Sequence, residues 1–165
     1  MNFLAFYLTP FLYFCRLILI GKLGMKIIIA SDHAGFELKE RLKEKFGSEF
    51  EFDDYGTNSN ESVDYPDFAH KLADKVANTP NQYGVLICGT GNGMAMTANK
   101  HKDIRAGLCW SKEIAALVRQ HNNSNILVMP ARFIPEETAF EIFSTFFSTD
   151  FEGGRHQRRV EKINL

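Results

Sequence analysis

The stretch GVLICGTGNGMAMTAN, residues 84–99, combines a strand, a glycine loop and the start of a helix in direct succession. Residues 84–88 are apolar without alternation, which is typical of a parallel strand covered on both faces. Three glycines follow within five residues, and residues 93–99 are predicted to form a helix. This order predicts an open α/β sheet whose loop after the strand faces a ligand.

The same alternation of strand and helix continues on both sides of this stretch from Met25 onward. Short apolar runs predict further strands at residues 26–30, 50–53, 105–109 and 126–129. Segments of helical period occupy residues 36–46, 67–76 and 111–120, with Ser111 as an N-cap, and a last helix opens at residues 135–137 with Pro135 in its first turn. We therefore predict an α/β fold: a three-layer Rossmann-like domain with a five-stranded parallel sheet flanked by helices.

Length and composition restrict the class of protein. A chain of 165 residues fits one domain, and its charged fraction of 24% and hydrophobic fraction of 45% are those of a globular protein. The net charge of −1 offers no field for nucleic acid or an anionic membrane, so neither is expected as a partner. Three scattered cysteines do not form a disulfide framework, which favours a reducing, cytoplasmic location.

The first 24 residues, MNFLAFYLTPFLYFCRLILIGKLG, differ from the rest in being crowded with aromatic and aliphatic side chains. They lack the early positive charge and the cleavage site of a signal peptide, and Pro10 and Arg16 interrupt the apolar run that a membrane span needs. We interpret residues 1–24 as a hydrophobic leader upstream of the true start at Met25, and residues 25–165 as a single domain. A membrane anchor is the alternative.

Ligands of open parallel sheets bind beyond the carboxyl ends of the strands, where the chain direction across the sheet reverses. This rule selects residues 31–33 (SDH) after the first strand and residues 88–93 (CGTGNG) after the third. The glycine loop lets backbone amides converge on an anion, and the helix that follows adds a positive dipole. An oxyanion or a phosphate would be stabilised there.

Nucleotide motifs do not fit this loop. The pattern G-x-G-x-x-G fails because its third glycine is replaced by Met94 or Met96, and no Gly-Lys-Ser/Thr follows to make a Walker A loop. No His, Cys or carboxylate pair has the spacing of zinc ligands, so neither a metal nor another cofactor is expected.

Two residues carry candidate proton chemistry. Cys88, between a strand end and a helix start, is suited to act as a base or nucleophile, although a buried free cysteine in the core is an equally ordinary interpretation. Cys109 is interpreted as such a core residue. His121, in the segment RQHNN, has a side chain that exchanges protons near neutral pH.

Taken together, SDHAG, DYP, CGTGNG followed by ANK, RQHNN and GGRHQRR, in this order over residues 25–165, resemble the ribose-5-phosphate isomerase B family. The resemblance implies a cofactor-free intramolecular oxidoreductase that converts ribose 5-phosphate to ribulose 5-phosphate through an enediolate, in the non-oxidative pentose phosphate pathway. The family also contains allose- and galactose-6-phosphate isomerases, so the substrate stays open. A non-catalytic anion-binding module is the remaining alternative.

The resemblance also implies roles for individual residues. Cys88 matches the enediolate-forming base, and Met94 stands where relatives without this cysteine carry a glutamate. His121 matches the residue that opens the sugar ring, with Asp32 as its helper and His156 as the alternative. The enediolate oxygen would be held by the glycine loop, whose residues are Gly89, Thr90, Gly91, Asn92 and Gly93.

The remaining roles concern substrate binding and assembly. Arg132, Arg155 and Arg159 match arginines that clamp the phosphate, with help from His33, while Tyr65 and Asn122 are expected to contact sugar hydroxyls. The family's site lies between two subunits, and the tail of one chain reaches the pocket of its partner. The resemblance therefore implies at least a homodimer with shared active sites, with a tetramer left open.

Overall fold

The computed structural model describes residues 24–163. The hydrophobic leader predicted over residues 1–24 lies outside this range except for Gly24, so the leader and the domain boundary at Met25 stay predictions. Among the helices of residues 24–163, none has both the length and the apolar character needed to cross a membrane.

One five-stranded sheet forms the centre of the molecule. Its strands are β1 (Met25–Ser31), β2 (Phe50–Asp54), β3 (Tyr83–Cys88), β4 (Ala106–Leu108) and β5 (Ile126–Pro130). All neighbouring strands pair in parallel, in the order β2-β1-β3-β5-β4. Parallel pairing requires crossover connections, and a helix supplies each of them. The predicted fold class is confirmed.

Six α-helices and a short 3₁₀ turn surround the sheet. The helices are α1 (Phe36–Phe46), α2 (Tyr65–Ala77), α3 (Asn92–Ala98), α4 (Lys112–Asn122), α5 (Glu136–Ser148) and α6 (Gln157–Glu161), and the 3₁₀ turn is Gly154–His156. Ser111 caps α4 as predicted, because its hydroxyl accepts the N–H of Ile114. Pro135 is not inside the first turn of α5 as predicted, because its extended backbone places it at the cap position.

The core has two halves, one on each face of the sheet. The first is rich in phenylalanine and packs α1, α4 and α5 against Ile27 and Ile29. The second packs α2 and α3 against Ile28 and Ala30. Successive side chains of a strand point to opposite faces, so an apolar side chain is needed at each of these positions. Burial on both faces explains the absence of alternation in the sequence.

The reversal of chain direction lies between β1 and β3. From β1 the chain moves outward to β2, and from β3 it moves the other way towards β5 and β4. Two backbone hydrogen bonds hold the strand ends together: Asp32 donates to the carbonyl of Ile87 at 3.1 Å, and Ala131 donates to that of Cys88 at 3.0 Å. The loops after β1, β3 and β5 therefore meet at one edge of the sheet, which we call the carboxyl edge.

Close packing at the start of α1 gives a test of this arrangement. A methyl group on Gly35 would contact the carbonyl oxygen of Ile87 and come within 2.8 Å of its Cγ2 atom. We expect Gly35→Ala to lower the free energy of unfolding by about 1–3 kcal/mol, because a strand backbone cannot move aside. Urea unfolding followed by circular dichroism measures this change.

The matched control is Gly89→Ala, whose new methyl group would meet only ordinary contacts at 3.4 to 3.6 Å. Its free energy of unfolding should change by about 1 kcal/mol or less. Equal destabilisation by the two substitutions would contradict the close approach of α1 to β3.

Candidate active site

Cys88 ends β3 at the carboxyl edge, with 4% of its surface exposed. The N–H of Gly91 donates to its sulfur at 3.2 Å. Gly91 can turn back towards the sulfur because it adopts a left-handed conformation, with φ of 76°, at the start of α3. An N–H aimed at sulfur interacts more favourably with a thiolate than with a thiol, so the loop is suited to hold Cys88 as a thiolate.

The other amides of the glycine loop have different partners. The N–H of Asn92 donates to the hydroxyl oxygen of Thr90 at 3.4 Å. Within residues 24–163, the N–H groups of Gly89 and Thr90 donate to no protein atom. These two amides are available as donors for a negative oxygen, while the N–H of Gly91 is used on the sulfur.

Asp32 and His33 follow β1 and lie beside this loop. One carboxylate oxygen of Asp32 accepts the N–H groups of Ala34 at 2.9 Å and Gly35 at 3.0 Å, which shapes the turn into α1. The Nδ1 atom of His33 accepts the N–H of Val63 at 3.3 Å. Nδ1 must then carry the lone pair, so neutral His33 has its hydrogen on Nε2 and can donate it to an anion.

Arg132 and Tyr65 complete the carboxyl edge. The N–H of Arg132 donates to the carbonyl of Gly89 at 3.1 Å, which fixes the start of this side chain beside the loop. Tyr65 opens α2, and its ring lies so close to Gly93 that an added methyl there would approach ring carbons at 2.6 Å. The predicted residues that share this edge are Asp32, His33, Tyr65, Cys88, Gly89, Thr90, Gly91, Asn92, Gly93 and Arg132.

The remaining predicted residues, His121, Asn122, Arg155, His156 and Arg159, lie at the opposite edge, where the strands begin. Asn125, just beyond α4, accepts the N–H of Gly84 at 3.0 Å and donates to Arg105 at 3.2 Å. The four steps along the strand from Gly84 to Cys88 span roughly 13 Å at 3.3 Å each. One chain therefore does not bring His121 to its own Cys88.

The side chains of His121 and His156 stack at this second edge. Their ring centroids are 4.2 Å apart and their planes differ by 6°. Burial, followed by the charges of His121, Arg155 and Arg159, lowers the pKa of His156, and Glu152 acts in the opposite direction. His156 is consequently neutral near pH 7.

Glu152 is the functional candidate that sequence reasoning missed. One of its carboxylate oxygens lies 4.0 Å from Nε2 of His121 and 3.8 Å from Nε2 of His156. The only sequence signal was an acidic residue at the head of the basic segment EGGRHQRR, and nothing in that segment indicates a contact with α4.

These three side chains also have donor atoms within 4.8 Å of one another, as a metal site would. Coordinating lone pairs of imidazole lie in the ring plane. Because the two rings are nearly parallel and stacked, a metal between them would lie outside both planes. This arrangement is a poor metal site without a turn of one ring, and the absence of a metal stays a prediction.

The two described cysteines are expected to differ in reactivity. Cys109 is fully buried, and burial raises the pKa of its thiol to about 12, so roughly one molecule in 10⁴ carries its thiolate at pH 8. Cys88 has the Gly91 N–H on its sulfur. Iodoacetamide at pH 8 should alkylate Cys88 at least about tenfold faster than Cys109, as measured by peptide mass spectrometry. Faster labelling of Cys109 in the folded protein would contradict this assignment, and denatured protein provides the control.

Comparisons with known proteins identify the family of this chain. A family model described as Ribose/Galactose Isomerase matches residues 27–163. The chain is 45% identical over 144 residues to a probable ribose-5-phosphate isomerase B of Mycoplasma genitalium, covering 86% of this chain and 95% of that protein.

Two crystal structures are similar in both fold and sequence. A ribose 5-phosphate isomerase from Thermotoga maritima is 52% identical with a TM-score of 0.82, over 85% of this chain and 97% of that one. Ribose-5-phosphate isomerase B of Mycoplasma genitalium, solved with bound ribulose 5-phosphate, is 44% identical with a TM-score of 0.81, over 86% and 95% of the two chains. The chain described here belongs to the ribose/galactose isomerase family.

Proposed function

We propose that this isomerase interconverts ribose 5-phosphate and ribulose 5-phosphate, with Cys88 as the base. The observation that carries the assignment of the base is the N–H of Gly91 on the Cys88 sulfur, at the point where chain direction reverses. The relative with bound ribulose 5-phosphate supports the choice of substrate. The reaction would belong to the pentose phosphate pathway in the cytoplasm.

The reaction requires a base that moves a proton and hydrogen-bond donors that stabilise a negatively charged oxygen. The Cys88 thiolate takes the proton from C2 of the open-chain aldose, and the electron pair moves to the C1 oxygen to form an enediolate. The proton then returns from Cys88 to C1, while the proton of the C2 hydroxyl passes to the C1 oxygen and C2 becomes the ketone. One carbon is oxidised and its neighbour reduced, so no external redox partner is needed.

The free amides of Gly89 and Thr90 are placed to stabilise the enediolate oxygen, with the Thr90 hydroxyl beside them. A donor of this kind contributes about 2.7–4 kcal/mol in known oxyanion holes. Met94, at the position where relatives without this cysteine carry a glutamate, is a buried core residue and offers no carboxylate that could act as the base. This is the arrangement expected of a cysteine-dependent member of the family.

Phosphate binding would combine both edges of the sheet. Arg132 and the Nε2–H of His33 lie at the carboxyl edge, whereas Arg155 and Arg159 are exposed at the other edge. A guanidinium fork matches the oxygens of a phosphate geometrically. Because these groups are separated by the length of the strands, one substrate can reach them all only across two chains.

We therefore propose a homodimer in which the second edge of each chain covers the carboxyl edge of the other. A two-fold axis would pair the edges twice and produce two equivalent sites. Each site would contain Cys88, Arg132 and His33 from one copy and His121, Arg155 and Arg159 from the other. The basic segment after α5 would then supply the phosphate clamp and not merely a solvated tail.

The base is tested by Cys88→Ala. We expect kcat for ribose 5-phosphate to fall by about 10² to 10⁴-fold with the free energy of unfolding little changed, since only the proton carrier is lost. The conversion to ribulose 5-phosphate is followed in a continuous absorbance assay. Cys109→Ala is the matched control, because it removes a buried thiol on the opposite face of the sheet from Cys88, and it should keep nearly full kcat in the molecules that remain folded.

Two results would alter this proposal in different ways. Full activity of Cys88→Ala would remove the cysteine from the mechanism. If the unaltered protein instead leaves ribose 5-phosphate unchanged but converts allose or galactose 6-phosphate, the base assignment stands and the substrate changes.

The shared site is tested by mixing two inactive variants, Cys88→Ala and His121→Gln, under conditions that allow subunits to exchange. A mixed dimer holds one site with both residues intact, so random pairing should restore about one quarter of the original activity. The double variant is the control and should stay inactive. If mixing restores no activity although mass spectrometry shows mixed dimers, Cys88 and His121 do not act across the interface.

A further inference from the structure

Glu152 is anchored to the end of α4, where His121 lies. Its N–H donates to the carbonyl of Gln120 at 3.1 Å, which joins the segment after α5 to the residue before His121. Four residues further on, His156 stacks on the His121 ring. The carboxylate of Glu152 faces Nε2 of both rings, at 4.0 Å and 3.8 Å.

The two imidazoles are not equivalent towards this carboxylate. The Nε–H of Arg155 lies 3.3 Å from Nε2 of His156 and donates to it. That nitrogen is then an acceptor and carries no hydrogen that it could offer to Glu152. Nε2 of His121, by contrast, does not accept from this arginine and can carry a hydrogen 4.0 Å from the Glu152 carboxylate.

The surrounding charges also distinguish His121 from His156. Burial lowers the pKa of His156, and the charges of His121, Arg155 and Arg159 lower it further. A proton taken up by the pair is thus disfavoured on His156. Glu152 is the negative group that faces the two rings.

We infer that Glu152 is a positioning residue for ring opening: it holds the Nε2–H tautomer of His121 and stabilises the imidazolium that forms during proton transfer. This inference rests on the proposed function, in which His121 opens the sugar ring. Carboxylates orient catalytic histidines in this way in serine proteases. The observed separation of 4.0 Å is longer than a hydrogen bond, as is common before substrate binds.

The ring-opening step balances without any added reactant. Nδ1 of His121 takes the proton of the anomeric hydroxyl, and the resulting imidazolium is paired with Glu152. The bond between C1 and the ring oxygen breaks as C1 becomes an aldehyde. The proton held by His121 passes to the ring oxygen, which becomes the C4 hydroxyl, and the imidazole returns to its original tautomer.

This role predicts a defect confined to ring opening, and ribulose 5-phosphate can reveal it. Its carbonyl is at C2 and its C5 oxygen is phosphorylated, so it has no five-membered ring to open. In D₂O the enzyme replaces a C1 hydrogen of this ketose with deuterium through the enediolate. Proton NMR measures the rate of this exchange and, in the same sample, the rate of net conversion to ribose 5-phosphate. The ratio of C1 exchange to net conversion separates the two steps.

We expect Glu152→Gln, which keeps the shape and removes the charge, to lower net conversion at least about tenfold and to raise the exchange-to-conversion ratio by a similar factor. Cys88→Ala should lose both rates together. Glu161→Gln, on the exposed side of α6 where its carboxylate accepts from Gln157, is the matched control and should leave both rates unchanged.

The other outcomes separate the two proposals. If Glu152→Gln leaves both rates unchanged, or lowers both in the same proportion, Glu152 does not act through ring opening. If the unaltered protein shows neither conversion nor exchange with ribose and ribulose 5-phosphates, the proposed substrate fails. The role of Glu152 in ring opening, which rests on that reaction, falls with it.

Discussion

The parallel pairing of β1 with β3 is the constraint on which the rest of the site depends. Register places Ser31 opposite Ile87, so Asp32 and Cys88 emerge side by side from the sheet. Because the chain leaves these strands in opposite directions, a crevice forms between their ends. The glycine loop then directs the N–H of Gly91 to the Cys88 sulfur. The packing of the core therefore fixes the backbone arrangement that holds Cys88 and the glycine loop in place.

The same sheet also keeps His121 and its neighbours away from Cys88. A helix that follows a parallel strand runs back to the beginning of the next one, so α4 carries His121 away from the carboxyl edge. The segment after α5 joins it there and stacks His156 on His121. A single chain thus presents two sets of polar groups on opposite edges, which the proposed pairing of two copies would unite.

Much of this could be predicted from the sequence. The strands β1, β3 and β5 are continuous apolar runs because both of their faces are covered, and α1 has an apolar stripe. Cys88 and its loop were identified because a strand end, glycines and a helix start follow one another in the chain. The resemblance then assigned roles to residues such as His121 that carry no signal alone.

What could not be predicted depends on contacts between distant segments. Glu152 is joined to His121 through a backbone bond to Gln120 and a ring stack with His156, and no periodicity reports such contacts. The tautomer of His33 depends on an N–H from Val63, thirty residues away in the chain. The position of His121 at the opposite edge follows from the direction of α4. That direction can be predicted only when the strands before and after α4 are known to be parallel.

The most direct test of the account is a crystal structure of the protein with ribulose 5-phosphate bound. The account predicts C1 and C2 of the sugar beside the Cys88 sulfur, at about 3–3.5 Å, with the phosphate held by Arg155 and Arg159 of a second copy and by Arg132 and His33 of the first. A sugar bound at the edge of His121 without Cys88 nearby, or a complete site within one chain, would contradict it.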